Sequence, residues 1–288
     1  MARQPRSLAG KVVVVTGGGR GIGAATAGAL ARLGAVVAIG DVDLDVAKQT
    51  ADRLDDAVAL PLDVTDAERF TAFLDEVERE LGPIDILINN AGIMPIAMLD
   101  EEDDRTTRRQ LEINLHAVIH GTREAVRRMR PRRTGHIVNI ASVAGKAGFP
   151  GVATYCATKH GVVGLSEAVR AELRGTGVEV TVVMPSIVRT ELTTGVEDAR
   201  FVKSIAPQDV AEAIVGALRQ PRFEVFVPRA IGTVNRLTRL LPRPAGEWMA
   251  RKFKSDQVMV NAAHSPARRE YEARAAASAP AVDREAGE

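Results

Sequence analysis

Lys11-Val-Val-Val-Val-Thr16-Gly17-Gly-Gly-Arg20-Gly21-Ile22-Gly23, followed by an alanine-rich run from Ala24 to Leu33 and then Gly34, is the stretch that decides the fold. Four consecutive valines bounded by glycines read as a short strand buried on both faces, the kind found in parallel sheets. The run after Gly23 is rich in Ala and Leu, the best helix formers, and stops at a glycine. Strand, glycine turn and helix follow one another without a spacer. In that order the glycines let the backbone approach a phosphate, and the helix N-terminus offers N–H groups that no preceding turn satisfies.

Outward from this stretch the same alternation repeats. Apolar, β-branched runs at 35–40, 58–62, 84–88, 135–141, 178–184 and 223–228 read as six further strands, with helical segments between them. The expected architecture is an α/β, doubly wound parallel sheet of about seven strands flanked by helices, a Rossmann fold. Leu111, Leu115, Val118, Thr122, Ala125 and Met129 follow a helical rhythm. The basic run 127–133 at the end of that helix reads as cations gathered at a helix C-terminus, with Pro131 and Gly135 marking the stop.

Composition sets the class. The 288 residues carry a formal net charge of +1, which gives no reason to expect nucleic acid as a partner. Cys156 is the only cysteine, so no intrachain disulfide is possible and a reducing cytoplasm is the expected setting. The valine run is too short for a signal-peptide core and no segment reaches transmembrane length. No metal site is expected.

The second strand ends in Asp41, roughly 20 residues beyond the glycine loop, where a carboxylate can accept both ribose hydroxyls of an adenosine. A 2′-phosphate there would face Asp41 at about 4 Å, a repulsion of order 4 kcal/mol at an effective dielectric near 20. NAD is therefore expected over NADP, although Arg20 inside the loop pulls the other way. Asp41 is also a candidate helix N-cap, since Asp-x-Asp-x-Asp precedes Val46.

Ser142 follows the fifth strand, and Tyr155 and Lys159 stand four residues apart on a helix, where phenol and ammonium share one face. With Thr16-Gly17-x-x-x-Gly21-Ile22-Gly23, Asp63-Val64, Asn89-Asn90-Ala91-Gly92, Asn114 and Pro185-x-x-Val188-x-Thr190, these motifs keep one order and approximate spacing. In this the chain resembles a short-chain dehydrogenase/reductase of the compact, single-domain type over about residues 9–228. The resemblance implies that Tyr155 is the general acid/base, that Ser142 positions the reacting oxygen, and that Lys159 holds the nicotinamide ribose and favours ionised Tyr155. It further implies that Asn114 holds a relay water, that Thr190 and Val188 fix the carboxamide, and that Asp63, Val64 and Asn90 line the adenosine. One departure is Ser186, where the family usually has glycine after the proline.

A silent NAD-binding sensor on the same fold would be expected to carry a broken relay, whereas Asn114, Ser142, Tyr155 and Lys159 are all present. An epimerase or dehydratase of the superfamily's longer branch is disfavoured by the compact length and the gap between Gly17 and Gly21. Ile93, Met94, Val143, Ala144, Phe149 and Ile187 follow motifs at the open edge and point to a hydrophobic secondary alcohol or its ketone. Cys156 reads as a small packed residue facing away from Tyr155.

The expected domain organisation is a catalytic unit over 1–228, a helical extension over 229–264 packed on it, and a flexible tail over 265–288. Ile231, Val234, Leu237, Leu241, Trp248, Met249 and Phe253 form an apolar stripe among basic residues, suited to covering the substrate mouth or a subunit, with membrane-surface contact a lesser alternative. The polar segment 191–205 reads as a lid. A homodimer or homotetramer is expected, through the helices around Leu111 and Leu165.

Overall fold

A computed structural model describes residues 4–196, 203–238, 242, 244, 258–263 and 265–277. Seven strands, β1 Val12–Thr16, β2 Val36–Asp41, β3 Ala57–Pro61, β4 Ile86–Asn89, β5 Gly135–Ile140, β6 Val178–Pro185 and β7 Glu224–Val227, form one parallel sheet in the order β3-β2-β1-β4-β5-β6-β7. The order reverses between β1 and β4, and the crevice at such a switch point is where open α/β sheets bind ligands.

Period-two alternation divides the sheet into two cores. Val13, Val15, Val37, Ile39, Ile86, Ile88 and Val138 face one side, where α1 (Gly21–Ala31) and α7 (Pro207–Arg219) cover them with Ala27, Leu30, Val210 and Ile214. Val12, Val14, Ala38, Leu87 and Ile137 face the other, under Phe70, Phe73, Leu74 and Val77 of α3 (Ala67–Leu81) and Ala125 and Met129 of α5 (Ala117–Arg132). Between these helices run α2 (Leu44–Ala51), α4 (Asp104–Leu111) and α6 (Ala153–Glu172). Each strand lies within two residues of its expected position. Within the basic run at the end of α5, Arg128 pairs with Asp75, Glu78 and Glu124.

A single turn of π-helix, Glu112–His116, separates α4 from α5. Such turns hold one residue more than an α turn and cluster at functional sites. This one presents Asn114.

Beyond β7 the chain forms α8 (Arg229–Thr238), α9 (Val258–Ala263), a 3-10 turn Pro266–Arg268 and α10 (Arg269–Ala277). Residues 266–277, expected to be part of a flexible tail, are instead helical, with Arg268, Tyr271 and Ala275 buried. Val234 and Leu237 of the apolar stripe are exposed, whereas Leu241, Trp248, Met249 and Phe253 lie outside the described residues, as do 197–202 of the expected lid. Among the described residues no helix is long and apolar enough to cross a membrane.

A buried polar chain ties the site-bearing elements together. The Asn89 amide donates to Asn139 Oδ1 at 2.8 Å, Thr122 donates to the same oxygen at 3.3 Å, and the Asn139 amide donates to Ser166 at 3.0 Å. It joins β4, β5, α5 and α6. Asn139→Ala leaves several buried groups unpaired at once and should lower the unfolding free energy by about 2–3 kcal/mol, read from the urea midpoint at unchanged m-value.

Candidate active site

The carboxyl ends of β1, β4, β5 and β6 deliver their following residues to one sheet edge. Gly17 has φ of +62° and a Cβ there would lie 2.8 Å from Ala91 Cα, while a Cβ on Gly23 would meet the Gly17 carbonyl at 2.2 Å. Neither position admits a side chain. Asn90 donates through its amide to the carbonyls of Thr16 (3.0 Å) and Gly17 (2.9 Å), and its backbone N–H reaches the Thr16 hydroxyl at 3.0 Å. Asn90 and Ala91 therefore brace the glycine loop from behind.

Asp41 accepts the N–H groups of Gly19 (2.8 Å) and Asp43 (3.1 Å), which aims its carboxylate at the loop. The helix-cap role considered for Asp41 belongs to Asp43, which accepts Val46 N–H at 3.3 Å. Arg20 is held by carboxylates, at 2.6 Å from Asp43 and 3.9 Å from Glu191. At the start of α1 no side chain caps the helix and no acidic residue stands in the first turn, so its leading N–H groups can receive a pyrophosphate. Ile22 packs into the core beneath. Asp63 accepts from the N–H and hydroxyl of Thr65, and Val64 packs beside it. Thr190, after Pro185 and Val188, stands against Gly21, where a Cβ would lie 3.1 Å from the Thr190 methyl. These residues fit a nicotinamide dinucleotide: a narrow glycine cradle, an open helix N-terminus and a carboxylate hydrogen-bonded to the loop between them.

Beside Tyr155, Ser142 accepts Ala144 N–H at 3.1 Å and donates to the Pro185 carbonyl at 3.5 Å, close enough to the phenol to favour its ionised form. Lys159 Nζ lies 5.5 Å from the Tyr155 ring centroid and donates to the Ile140 carbonyl at 2.9 Å. Lys159 is expected to favour ionised Tyr155 together with an oxidised nicotinamide; in the chain alone burial sets both groups. Burial pushes Tyr155 up to about 12, with the Ser142 contact pulling the other way, and burial pushes Lys159 down to about 8. Desolvation is the leading cause of both shifts, because both groups are out of water. Asn114 is fully buried; it accepts Ile93 N–H and donates to the Ile93 carbonyl, both at 2.8 Å, and lies 3.5 Å from Thr158.

Of the expected substrate residues, Met94, Ala144 and Phe149 share an apolar cluster with Tyr155, joined by Ile96, Leu192, Val196, Met259 and Ala262. Cys156 is buried in that same cluster, as a small packed residue. Val143 turns instead into a separate core with Val162, Val163 and Phe226, because the short 3-10 turn after Ser142 rotates it off the edge. Ile187 is engaged through its carbonyl, which accepts Ile205 N–H at 2.9 Å. Ile93 packs against Ile113 and Tyr271. Tyr271 and Arg268 are the site-adjacent residues that reading the sequence missed. Their one signal is rarity, since Tyr271 is the only tyrosine besides Tyr155.

A family model described as short chain dehydrogenase matches residues 11–200, more than half of the chain. An uncharacterized oxidoreductase of Staphylococcus saprophyticus is 34% identical over 223 residues, covering 73% of this chain and 91% of that protein. A 3-alpha-(or 20-beta)-hydroxysteroid dehydrogenase of Mycobacterium bovis is 34% identical over 215 residues, 74% of this chain and 79% of that protein. Other relatives are longer, and the chain spans 18% of one and 45% of another. Among solved structures, a short chain dehydrogenase/reductase from Burkholderia phymatum in complex with NAD superposes with a TM-score of 0.75 at 28% identity, covering 81% of this chain and 94% of that one.

Burial raises both phenols, Tyr155 and Tyr271, above the unfolded value near 10. The folded chain thus keeps protons that the unfolded chain releases; the stability tied to them is complete below that value and is lost as pH climbs through the folded values. Phenolate absorbance should stay flat in the folded protein to about pH 11 and should step near pH 10 only after unfolding in urea.

Proposed function

Because the chain belongs to the short-chain dehydrogenase/reductase family, we propose that it interconverts a secondary alcohol flanked by apolar carbon and the corresponding ketone, with NAD preferred over NADP. The observation that carries this reading is the meeting of the Ser142 hydroxyl, the Tyr155 phenol and the Lys159 ammonium beside an open glycine cradle. The hydroxysteroid in one relative's name and the NAD in the solved neighbour support the substrate class and the cofactor. So does the apolar cluster around Tyr155.

Asp41 would take the adenosine ribose, the α1 N-terminus the pyrophosphate, Lys159 the nicotinamide ribose, and Val188 and Thr190 the carboxamide. A bound nicotinamide supplies the hydride chemistry. In the reducing direction Ser142 donates a hydrogen bond to the carbonyl oxygen, and Tyr155 gives that oxygen its phenolic proton as negative charge develops there. In the oxidising direction ionised Tyr155 takes the proton from the alcohol. With Tyr155 held protonated by burial, the resting pocket is set for proton donation. Asn114 fixes the Ile93 backbone beside this pair. Arg20, already paired with Asp43, offers less to a 2′-phosphate than its place in the loop implies, which favours NAD.

A cytoplasmic homo-oligomer belongs to the same reading, with Leu111 on α4, 40% exposed, as part of the contact between copies.

A screen of lipophilic secondary alcohols and ketones with NAD and NADP, following reduced-cofactor absorbance, tests the reading. Tyr155→Phe should lower turnover by about 10²–10⁴-fold while NAD affinity stays within about threefold. Asp41→Asn should shift the NADP-to-NAD preference by about 10²-fold. NAD binding without turnover of any substrate would instead mark a cofactor-binding protein without this activity.

A further inference from the structure

The dipeptide Ile93-Met94 leaves β4 behind and lies beyond the reach of a sheet ladder, yet side chains satisfy all four of its backbone polar groups. Asn114 takes the N–H and carbonyl of Ile93, both at 2.8 Å. The C-terminal segment takes those of Met94: its N–H donates to the Tyr271 hydroxyl oxygen at 2.7 Å, and its carbonyl accepts from Arg268 Nη2 at 2.8 Å. Buried backbone groups demand such partners, and here two separate regions of chain supply them.

Arg268 is 2% exposed and uses every donor it has. Nη1 donates to the carbonyls of Leu192 and Thr194, each at 3.0 Å; Nε donates to Glu272 at 3.0 Å, and Nη2 meets the same Glu272 oxygen at 3.0 Å besides the Met94 carbonyl. The guanidinium also lies 5.0 Å from the Tyr271 ring centroid. A lysine, with three donors on one point, cannot span those acceptors. The two loops that this fork joins are the continuations of Asn90-Ala91-Gly92 and of Thr190. Met94, Leu192 and Met259 share the apolar cluster of Tyr155, and Leu192 also packs with Tyr271.

We propose that Arg268 and Tyr271 are positioning residues of the active site, fixing the substrate-side backbone at Met94 and at Leu192–Thr194, so that Met259, Ala262, Arg268 and Tyr271 belong to the wall that selects the substrate. Neither is hydrogen-bonded to Ser142, Tyr155 or Lys159; both act through the backbone of Met94 and Leu192–Thr194. The inference deepens the oxidoreductase reading, and only its kinetic arm rests on that reading.

The test uses the full chain carrying Arg268→Ala, Arg268→Lys or Tyr271→Phe, with hydrogen exchange of peptides covering 93–96 and 191–196 and steady-state kinetics on a secondary alcohol with NAD. Arg268→Ala should speed exchange in both peptides by about tenfold, Tyr271→Phe should do so at 93–96 alone, and Arg268→Lys should recover little of the protection. For the alcohol, KM should rise by about tenfold in Arg268→Ala while kcat and the Kd for NAD stay within about threefold. Unchanged exchange in a folded variant, or a fall in kcat at constant KM, overturns the proposal. If no alcohol is turned over, the exchange measurement still decides it and the oxidoreductase reading fails by itself. If Arg268→Ala does not fold, Tyr271→Phe, which removes one oxygen, decides it.

Discussion

A parallel sheet sends all its strands out at one edge, and beyond that edge the backbone loses its ladder while still buried. Every peptide group there needs a partner, and in this chain side chains supply it. Asn90 serves the Thr16 and Gly17 carbonyls, Asn114 serves Ile93, Lys159 serves Ile140, Ser142 reaches Pro185, and Arg268 serves Met94, Leu192 and Thr194. The residues with the most chemistry are thus also those that finish the fold. Site and scaffold are one hydrogen-bond problem at this edge, which is why the groups meet with little freedom to rearrange.

Burial has a second effect on the same residues. Removing water raises the Tyr155 phenol and lowers the Lys159 ammonium, so each moves toward its neutral form. A charged neighbour arriving in so dry a place acts through a low dielectric and has more leverage than it would at a surface. The pocket is held as a neutral phenol beside a weakened cation, and its protonation state responds to what enters.

Much of this was legible beforehand, for physical reasons. The strands announced themselves because a sheet buried on both faces needs unbroken β-branched runs, and the glycine loop did because Gly17 and Gly23 have no room for a Cβ. Tyr155 and Lys159 were found through helical spacing. Val143 was misplaced, since a three-residue 3-10 turn changes the facing of its side chain without a trace in composition. Residues 266–277 resisted for a different reason. Their Arg, Glu and Ala content matches any exposed helix, and what buries them is hydrogen bonding of Arg268 and Tyr271 to groups more than 70 residues away in sequence. Local periodicity carries no record of such contacts. The pairing of Asp41 with Gly19, and of Arg20 with Asp43, belongs to the same class.

The π turn at Glu112–His116 has a consequence for how this molecule tolerates change in chain length. A π turn accommodates one residue more than an α turn, so a one-residue deletion within it permits a continuous α-helix from α4 into α5. The helix would survive, and because the π turn takes up its extra residue within one turn, the faces before and after the deletion would keep their angular relation. Arg109 and Gln110 on one side and Ala125 and Met129 on the other would all stay turned to the interior. A change of length is thereby confined to one turn, and Asn114 sits on the only turn that the change would reshape.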